Sequence, residues 1–389
     1  MMREAVIVSA VRTAIGRAGG TLATVPAHKF GAEVIKEAIN RVNLDVNLID
    51  DVIMGNVLSG GGNIARLTAL ETGLSVNLPG LTIDRQCGSG VNAINLAAQA
   101  IEAGAGDVYI AGGVESMSRA PYLMDRPSKA FSPVPPQFRK SQLSPTEIGD
   151  PPMGITAENL VKKYNISREE QDEFALASQK KMAAAMEEGR FEEQIVPIEV
   201  PVRKGDPIVF GQDEHPRPQT TIEALNKLQP AFMMAGSVTA GNSSGLNDAA
   251  AALIIMSKEK ADELGLAPLA VIKQSAVAGV DPNIMGIGPV PATRKVLEKS
   301  NMTLDDVDLI EINEAFASQV LACNRELNMD LDKVNVNGGA IAHGHPLGAT
   351  GAILVTKAIY ELRRTGKTNA LITACIGGGQ GIATIIEAV

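Results

Sequence analysis

The amino-acid sequence predicts an α/β fold in which a first strand–helix unit is interrupted by an insertion and followed by a second, similar unit. Three observations lead to this prediction. Strand-like and helix-like segments alternate over the first hundred-odd residues, prolines interrupt the alternation after residue 119, and it resumes from about residue 270. Such alternation is typical of a mainly parallel sheet with helices on its faces.

The elements of the first unit are predicted from hydrophobic spacing. Apolar runs indicate strands at 5–9, 51–57 and 107–111, and a spacing of three and four residues indicates helices at 29–42 and 91–102. The chain has 389 residues, of which 45% are hydrophobic and only 3% aromatic. This length allows two or three packed units, with a core built from Ala, Val, Ile and Leu.

The middle third of the chain reads as an insertion. Eight prolines fall between Pro121 and Pro152, a density that no regular sheet absorbs. A helix is then predicted from the capping box of Ser167 and Glu170 to about Gly189. Irregular loop and edge strand are expected at 196–202 and 204–218. Long loops of this kind commonly hold ligands.

The second half of the sequence echoes the first, which predicts a duplicated domain. A turn at Cys87 leads into an Ala-rich helix and then a strand with a glycine-rich end, and a turn at His345 does the same. The period is too long for a solenoid. The predicted division is 1–118 plus 248–268 for the first half, 119–247 for an inserted loop domain, and 269–389 for the second half.

Composition narrows the class of partner. The net charge of −9 and the isoelectric point near 5.2 argue against nucleic acid as a partner, although a local basic patch could still hold a small anion. Three distant cysteines do not form a disulfide framework. No apolar run approaches membrane-spanning length, and the N-terminus reads as a strand without a signal-peptide pattern. We expect a cytoplasmic protein that does not bind membranes.

Cys87 is the first candidate catalytic residue. It lies just before a predicted helix start, where unpaired N–H groups and the helix dipole favour a negative charge, so a lowered pKa and a nucleophilic thiolate are expected. Gly88 and Gly90 would let a substrate carbonyl approach the backbone closely. The alternative is a buried structural cysteine.

His345 is the candidate base for this thiol. It precedes Pro346, which is expected at the first position of a helix, and its ring could accept a proton from a nearby nucleophile. A histidine that only stabilises a turn is an equal alternative. For His343, two residues earlier, a supporting or pocket role is expected.

Further candidates follow two other predicted strands. Cys375 ends a buried strand and runs into Gly377-Gly378-Gly379, which offers a second thiol and a plausible oxyanion hole, although a small core residue is the simpler reading. Asn313 could cap the next helix or orient a water or carbonyl. Cys323 is assigned to the core. The segment 241–248 resembles a ligand-binding loop before a helix, or simply a turn.

Two other site types fit these residues poorly. A zinc site would need closely paired ligands, which the cysteines and the histidines at i, i+2 do not supply, so no metal is expected. A cysteine protease would use one cysteine with a histidine and would leave Cys375 and the duplication unexplained.

Taken together, four separated motifs resemble those of the thiolase family, and the resemblance covers the whole chain. It implies a thiolase fold, in which two similar five-stranded α/β halves form a layered αβαβα sandwich with a loop domain inserted in the first half. The motifs are Cys87-Gly88-Ser89-Gly90, Asn313-Glu314-Ala315-Phe316, Gly338-Gly339-Ala340-Ile341-Ala342 with Gly344-His345-Pro346, and Cys375-Ile376-Gly377-Gly378-Gly379.

The resemblance also implies a role for each motif. Cys87 would be the nucleophile that becomes acylated, His345 the base that activates it, and Cys375 the acid/base for the α-carbon of a second acyl group. Asn313 and His345 would share one oxyanion hole, and the N–H groups of Cys87 and Gly377 would form the other. Residues aligned with coenzyme A or pantetheine contacts are Ser244, Arg217, Leu228, Phe232 and Phe316, and those aligned with the acyl pocket are Met153 and Met285.

This resemblance implies an acyltransferase of fatty acid metabolism. It would condense two acetyl-CoA to acetoacetyl-CoA and CoA, reversibly and with ping-pong kinetics, as a homodimer or homotetramer. Coenzyme A would be substrate and product, with no separate cofactor. Pro152 stands where acetoacetyl-CoA-selective members usually carry His. This leaves open which acyl chain length the enzyme prefers and whether it degrades longer 3-ketoacyl-CoA substrates. Two alternatives remain. A ketosynthase would pair its cysteine with two histidines, or with His and Asn, so Cys375 argues against it. A non-catalytic acyl-CoA carrier would not need all these motifs.

Overall fold

A computed structural model describes residues 3–59 and 61–389 of the protein. The α-helices are α1 (Ala27–Arg41), α2 (Ile64–Thr72), α3 (Ser89–Glu102), α4 (Met153–Tyr164), α5 (Arg168–Glu187), α6 (Ile222–Asn226), α7 (Lys258–Glu263), α8 (Pro289–Ser300), α9 (Ala317–Leu327), α10 (Ala340–His343) and α11 (Leu347–Thr365). Single 3₁₀ segments lie at Thr21–Thr24, Val46–Leu48, Met117–Arg119 and Pro282–Ile287.

The strands are β1 (Ala5–Thr13), β2 (Gly16–Arg17), β3 (Asp51–Gly55), β4 (Leu81–Ile83), β5 (Val108–Ser116), β6 (Leu123–Met124), β7 (Phe138–Arg139), β8 (Ile195–Val196), β9 (Ile198–Val200), β10 (Ile208–Phe210), β11 (Asn247–Ser257), β12 (Ala270–Gly279), β13 (Leu309–Ile312), β14 (Asn369–Ile376) and β15 (Gln380–Ala388). All elements predicted for the first unit are present, with ends shifted by a few residues; β1 and β5 run longer than expected.

The main sheet contains strands of both halves in the order β13-β14-β15-β12-β1-β11-β5-β3-β4. The halves join through a short antiparallel pairing of Val6 with Val271 and Ile7 with Ala270. The prediction of a mainly parallel sheet is wrong, because only β3–β4, β3–β5 and β13–β14 are parallel along this path. The chain returns after the insertion as β11, antiparallel between β1 and β5, and β15 folds back on β14.

The two half-sheets are similar but not equally regular. The first half contributes β1, β11, β5, β3 and β4. In the second half, β13 pairs on its outer side with only one residue, through an isolated parallel bridge between Ile310 and Val334. Just after this bridge the backbone turns at Asn335 and Gly338, which have φ values of 43° and 76°, so a strand does not continue there.

The elements stack in five layers, as expected for an αβαβα sandwich. Side chains of β11 alternate between two clusters: Ala251 and Leu253 pack toward α3 and α11, whereas Ala252 and Ile254 pack toward α1 and α2. A third cluster packs α8 and α9 on the outer face of the second half-sheet. Because strands of the sheet are buried on both faces, they read as continuous apolar runs in the sequence.

The two central helices approach each other at glycines. A Cβ atom on Gly90 of α3 would lie 2.7 Å from the backbone nitrogen of Ala352 in α11, and one on Gly351 would overlap Val91. A Cβ on Gly88 would meet the side chain of Ile376 at 2.7 Å. These glycines therefore permit close packing, which corrects the expectation that they leave room for a substrate carbonyl. The same packing brings the starts of α3 and α11 together.

The segment 119–247 contains the β6–β7 hairpin, α4, α5, α6 and the β9–β10 hairpin. Helix α5 begins with the predicted capping box of Ser167 and Glu170, and α4 packs against α9. The segment 241–248 leads into strand β11 and not into a helix, because Asn247 and Asp248 already pair with β2. The exact domain boundaries stay a prediction.

Over residues 3–59 and 61–389, no helix is both long enough and apolar enough to cross a membrane.

Candidate active site

Cys87 lies in a tight turn between β4 and α3. The preceding Gln86 has a φ of 45°, an unusual conformation for a residue other than glycine. Asp84 accepts a hydrogen bond from the backbone N–H of Gln86 at 2.7 Å, and Ser89 Oγ accepts one from the N–H of Arg85 at 2.8 Å. These contacts hold the turn in a conformation that presents the cysteine side chain at the start of α3.

Two backbone N–H groups lower the pKa of the Cys87 thiol. One belongs to Cys87 itself and the other to Gly377, which follows β14. Gly378 and Gly379 have φ values of 84° and 86°, so the chain after Gly377 reverses sharply into β15. Converging N–H donors of this kind stabilise negative charge on an atom placed between them.

The pKa of the Cys87 thiol is raised to about 11, mainly because of burial. The two N–H donors lower it, and the negative charges of Asp84 and Glu115 raise it further. The expected lowered pKa is therefore wrong. Part of Cys87 remains accessible to solvent, but the surrounding protein removes enough water to outweigh the favourable helix start.

Cys375 is fully buried near the end of β14, in an apolar cluster that includes Met153, Met285 and Phe316. Its pKa is raised well above the usual range, first by burial and then by negative charge at Cys87. Cys375 therefore carries its proton in the resting protein and becomes a strong base once it loses it.

His345 is held on three sides. Its backbone N–H donates to Asn247 Oδ1 at 2.9 Å, its Nδ1 lies 2.7 Å from Thr350 Oγ1, and its Nε2 lies 3.3 Å from Asn313 Nδ2. With Asn313 donating, Nε2 is the acceptor, so Nδ1–H donates to Thr350. Burial lowers the pKa of His345 to about 4. Pro346 caps α11 instead of occupying its first helical position.

Asn313 follows β13 and is completely buried. It does not cap the next helix, because α9 begins at Ala317 with Phe316 at the N-cap position. Its Oδ1 has no hydrogen-bond partner among the residues the structure describes. A buried amide with an unpaired oxygen beside the imidazole of His345 is suited to binding a water molecule or a substrate group.

The remaining predicted binding residues fall into two groups. Met153, Met285 and Phe316 surround Cys375, and Phe232 packs edge-on against Phe316 with ring centres 6.0 Å apart. Arg217 and Leu228 line a cleft further out. Ser244 lies between the groups, where its backbone N–H donates to Ala315 O at 3.0 Å. The structure thus places Met153, Met285 and Phe316 at Cys375 and places Arg217 and Leu228 in a separate cleft.

The site also contains residues that the sequence did not single out. Thr350 holds the His345 ring, Asn247 holds its backbone, and Glu115 accepts the N–H of Gly348 at 3.0 Å near the start of α11. His215 lines the outer cleft beside Arg217. One feature of the sequence could have drawn attention to His215: it is one of only four histidines and lies two residues before Arg217.

His343 has a supporting position and not a place among the reactive groups. Its Nδ1 lies 2.9 Å from Gly344 O, and its buried Nε2 has no partner among the described residues. Its pKa is lowered well below 6.5, first by burial and then by the positive charges of Lys357 and Arg12. The imidazole is therefore neutral in the folded protein.

His343→Leu is predicted to reduce the loss of stability at low pH. The unfolded chain binds a proton on this histidine below its ordinary pKa of 6.5, whereas the folded chain does not, so folding is disfavoured as the pH falls. Protonation of this histidine in the unfolded chain lowers the free energy of unfolding by about 1.4 kcal/mol for each pH unit below that value. Urea unfolding at about pH 7 and about pH 5 measures it. His28→Leu, on the surface helix α1, is the control; an equal pH response of wild type and His343→Leu contradicts the prediction.

Cys87 and His345 are both uncharged at neutral pH, because burial raises the pKa of the thiol to about 11 and lowers that of the imidazole to about 4. The thiol therefore transfers its proton only as it reacts. Alkylation of Cys87 by iodoacetamide is predicted to accelerate about tenfold per pH unit from about pH 6 to about pH 9, because the thiolate fraction grows in that proportion below a pKa of about 11. The modified peptide identifies the residue. A rate that levels off near neutral pH would show a preformed thiolate.

Within the described ranges, no group of three or more His, Cys, Asp and Glu side chains is arranged to hold a metal ion. Cys87, Cys323 and Cys375 are free thiols, and Cys323 is buried inside α9 as predicted.

Comparisons with known proteins agree with this fold over its full length. Residues 5–259 match the family model "Thiolase, N-terminal domain" and residues 266–388 match "Thiolase, C-terminal domain". An acetyl-CoA acetyltransferase of Pseudomonas aeruginosa is 51% identical over 387 residues, covering 98% of both chains. The acetyl-CoA acetyltransferase of Escherichia coli K12 is also 51% identical, covering 99% of both.

Solved structures show the same fold. The Bacillus anthracis acetyl-CoA acetyltransferase superposes with a TM-score of 0.94 at 47% identity, covering 100% of this chain and 99% of that one. Human mitochondrial 3-ketoacyl-CoA thiolase in complex with CoA gives a TM-score of 0.93 at 43% identity, covering 100% and 98%. The fold and the two family models define an acyl-transferring enzyme. This chain belongs to the thiolase family.

Proposed function

We propose that this enzyme catalyses the reversible condensation of two acetyl-CoA to acetoacetyl-CoA and CoA through an acyl group on Cys87. The observation that carries this proposal is that the turn of Cys87 packs on the end of β14, which carries Cys375. A Cβ atom on Gly88 would lie 2.7 Å from the side chain of Ile376, and one on Gly377 would lie 3.7 Å from Gln86 Oε1. The names of the relatives at 51% identity support the acetyl group as substrate.

In the first half-reaction, Cys87 sulfur attacks the thioester carbonyl of acetyl-CoA while its proton moves to His345 Nε2. The carbon–sulfur bond to CoA breaks, and Cys375 gives its proton to the departing sulfur. The oxyanion that forms is stabilised by the N–H groups of Cys87 and Gly377. The products are acetyl-Cys87 and free CoA, and Cys375 is left as a thiolate.

In the second half-reaction, Cys375 takes a proton from the methyl carbon of a second acetyl-CoA. The carbanion attacks the carbonyl of acetyl-Cys87, a carbon–carbon bond forms, and Cys87 leaves and recovers its proton from His345. In this proposal Asn313 and His345 stabilise the enolate oxygen, directly or through water. Coenzyme A is substrate and product here, and no separate cofactor is required.

A thiolysis assay with 3-ketoacyl-CoA substrates of increasing chain length tests this function. The highest kcat/KM is expected for acetoacetyl-CoA, because Met153, Met285 and Phe316 close the space around Cys375. Longer chains are expected to react at least about tenfold less efficiently. A preference for long chains would instead indicate a degradative enzyme, for which Pro152 is the only sequence signal. Turnover with malonyl thioesters alone would indicate a ketosynthase, and binding without turnover an acyl-CoA carrier.

The assembly and location of the enzyme are further parts of the proposal. We expect a homodimer or homotetramer. Around the β6–β7 hairpin, the side chains of Tyr122, Phe131 and Phe138 are exposed, and an apolar surface of this kind supports a contact between subunits. Light scattering of the purified protein distinguishes the two.

A role in the fatty acid metabolism of the cytoplasm is supported by the need for two reduced thiols, which a reducing compartment maintains. Cell fractionation checks the location.

A further inference from the structure

His215 is a cleft residue to which the mechanism above gives no task. It lines an outer cleft of about 220 Å³ together with Arg217, Leu228 and Gly245. The half-buried imidazole lies directly against the backbone of Gly245, where a Cβ atom would overlap the ring. The loop that carries Ser244 therefore packs on this ring, and the ring position is well defined.

Asn247 fixes which nitrogen of His215 carries the proton. The Oδ1 of Asn247 accepts the backbone N–H of His345 at 2.9 Å, and its Nδ2 donates to Gly16 O at 3.0 Å. These two partners leave only one orientation of the amide. The same Nδ2 lies 3.4 Å from His215 Nδ1, so Nδ1 faces a donor and is the acceptor. The proton of the neutral ring is consequently on Nε2.

Burial and two neighbouring positive charges keep the His215 ring neutral. Burial lowers its pKa to about 4, and the positive charges of Arg217 and Arg17 add to this, while Glu214 acts in the opposite direction. Above about pH 5 the ring is therefore an uncharged donor beside a cation. A phosphate group is recognised better by the guanidinium of Arg217, whereas an amide carbonyl or hydroxyl suits a neutral N–H.

We propose that the Nε2–H of His215 donates a hydrogen bond to a neutral oxygen of the pantetheine arm of coenzyme A, while Arg217 contacts the phosphate-bearing part. This inference rests on the proposed function. Through Asn247, the imidazole that contacts the ligand is joined to the main chain of His345. One hydrogen-bonded chain therefore links the outer cleft to the catalytic base.

Three substitutions of His215 test the donor. Gln can place an amide nitrogen near the position of Nε2, Asn only near that of Nδ1, and Phe keeps the ring shape without a donor. His215→Asn and His215→Phe are expected to raise the KM for CoA in thiolysis about fivefold with kcat changed less than about twofold, and His215→Gln is expected to stay near wild type. Acetylation of Cys87 by a saturating concentration of acetyl-CoA confirms that each variant is folded.

Pantetheine in place of CoA as the acyl acceptor identifies the contacted part of the ligand. The defect of His215→Asn is expected to persist with pantetheine, whereas the defect of Arg217→Ala is expected to disappear because pantetheine lacks the phosphates. Three results would overturn the proposal: a KM of wild-type size in His215→Asn, equal loss in the Gln and Asn variants, or a His215→Asn defect seen only with intact CoA. If the wild-type enzyme cleaves no 3-ketoacyl-CoA, it is the proposed function that fails.

Discussion

Cys87→Ala is expected to lower kcat for both thiolysis and condensation by at least about 10⁴-fold. The covalent acyl carrier is lost, and the thiol of Cys375 is a poor replacement because burial raises its pKa well above the usual range and keeps it protonated. Binding of CoA should change little, since the cleft at Arg217 is untouched. Steady-state kinetics with acetoacetyl-CoA and CoA, together with a CoA binding isotherm, measure both effects.

Cys323→Ala is the matched control for that substitution. It removes the other buried cysteine, which lies in α9 and whose sulfur donates to Gly286 O at 3.3 Å. Its kcat is expected to remain near wild type, with only a modest loss of stability from the small cavity. Substantial turnover by Cys87→Ala would mean that another group carries the acyl chain.

Cys375→Ser is expected to separate the two half-reactions. The hydroxyl fits the same space but is a far weaker acid than a thiol, so it rarely supplies the base that removes a proton from carbon. Acetyl transfer to Cys87 should persist within about tenfold, because CoA is a good leaving group, while condensation falls by about 10³-fold or more. Rapid-quench measurement of acetyl-Cys87 and of acetoacetyl-CoA formation follows the two steps separately.

The outcome that contradicts this division of labour is equal loss of both steps in Cys375→Ser. Cys375→Ala is the companion variant: it removes the hydroxyl as well, so a further slowing of acetyl transfer from Ser to Ala would measure how far that hydroxyl protonates the leaving CoA. Retained condensation in either variant would assign the removal of the proton from carbon to another base of this site, such as His345.

The sequence singles out the candidate reactive groups because each one lies next to a strand end or a helix start. Cys87 precedes α3, Cys375 lies one residue before the end of β14, and His345 precedes α11, so the local sequence pattern points to all three. The family resemblance then predicted their common site. The layered architecture was predicted in the same way, from motifs spread over both halves of the chain.

Features that depend on tertiary contacts could not be predicted. A helix start alone suggested an acidic Cys87, but the dense packing of the two halves around the sulfur raises its pKa instead. Strand direction was misjudged because β11 lies 130 residues beyond β5 in sequence and pairs with it in space. Asn247 and His215 acquire their roles only through partners far away in the chain, such as His345 and Gly16.

The central claim is that Cys87 alone carries the acyl group and that Cys375 acts after it. Mass spectrometry of the wild-type, Cys87→Ala and Cys375→Ser proteins, quenched in acid after exposure to acetyl-CoA, tests this most directly. We predict one added acetyl group on the peptide containing Cys87 in the wild type and in Cys375→Ser, and none in Cys87→Ala. An acetyl group on the Cys375 peptide, or no adduct in Cys375→Ser, would contradict the claim.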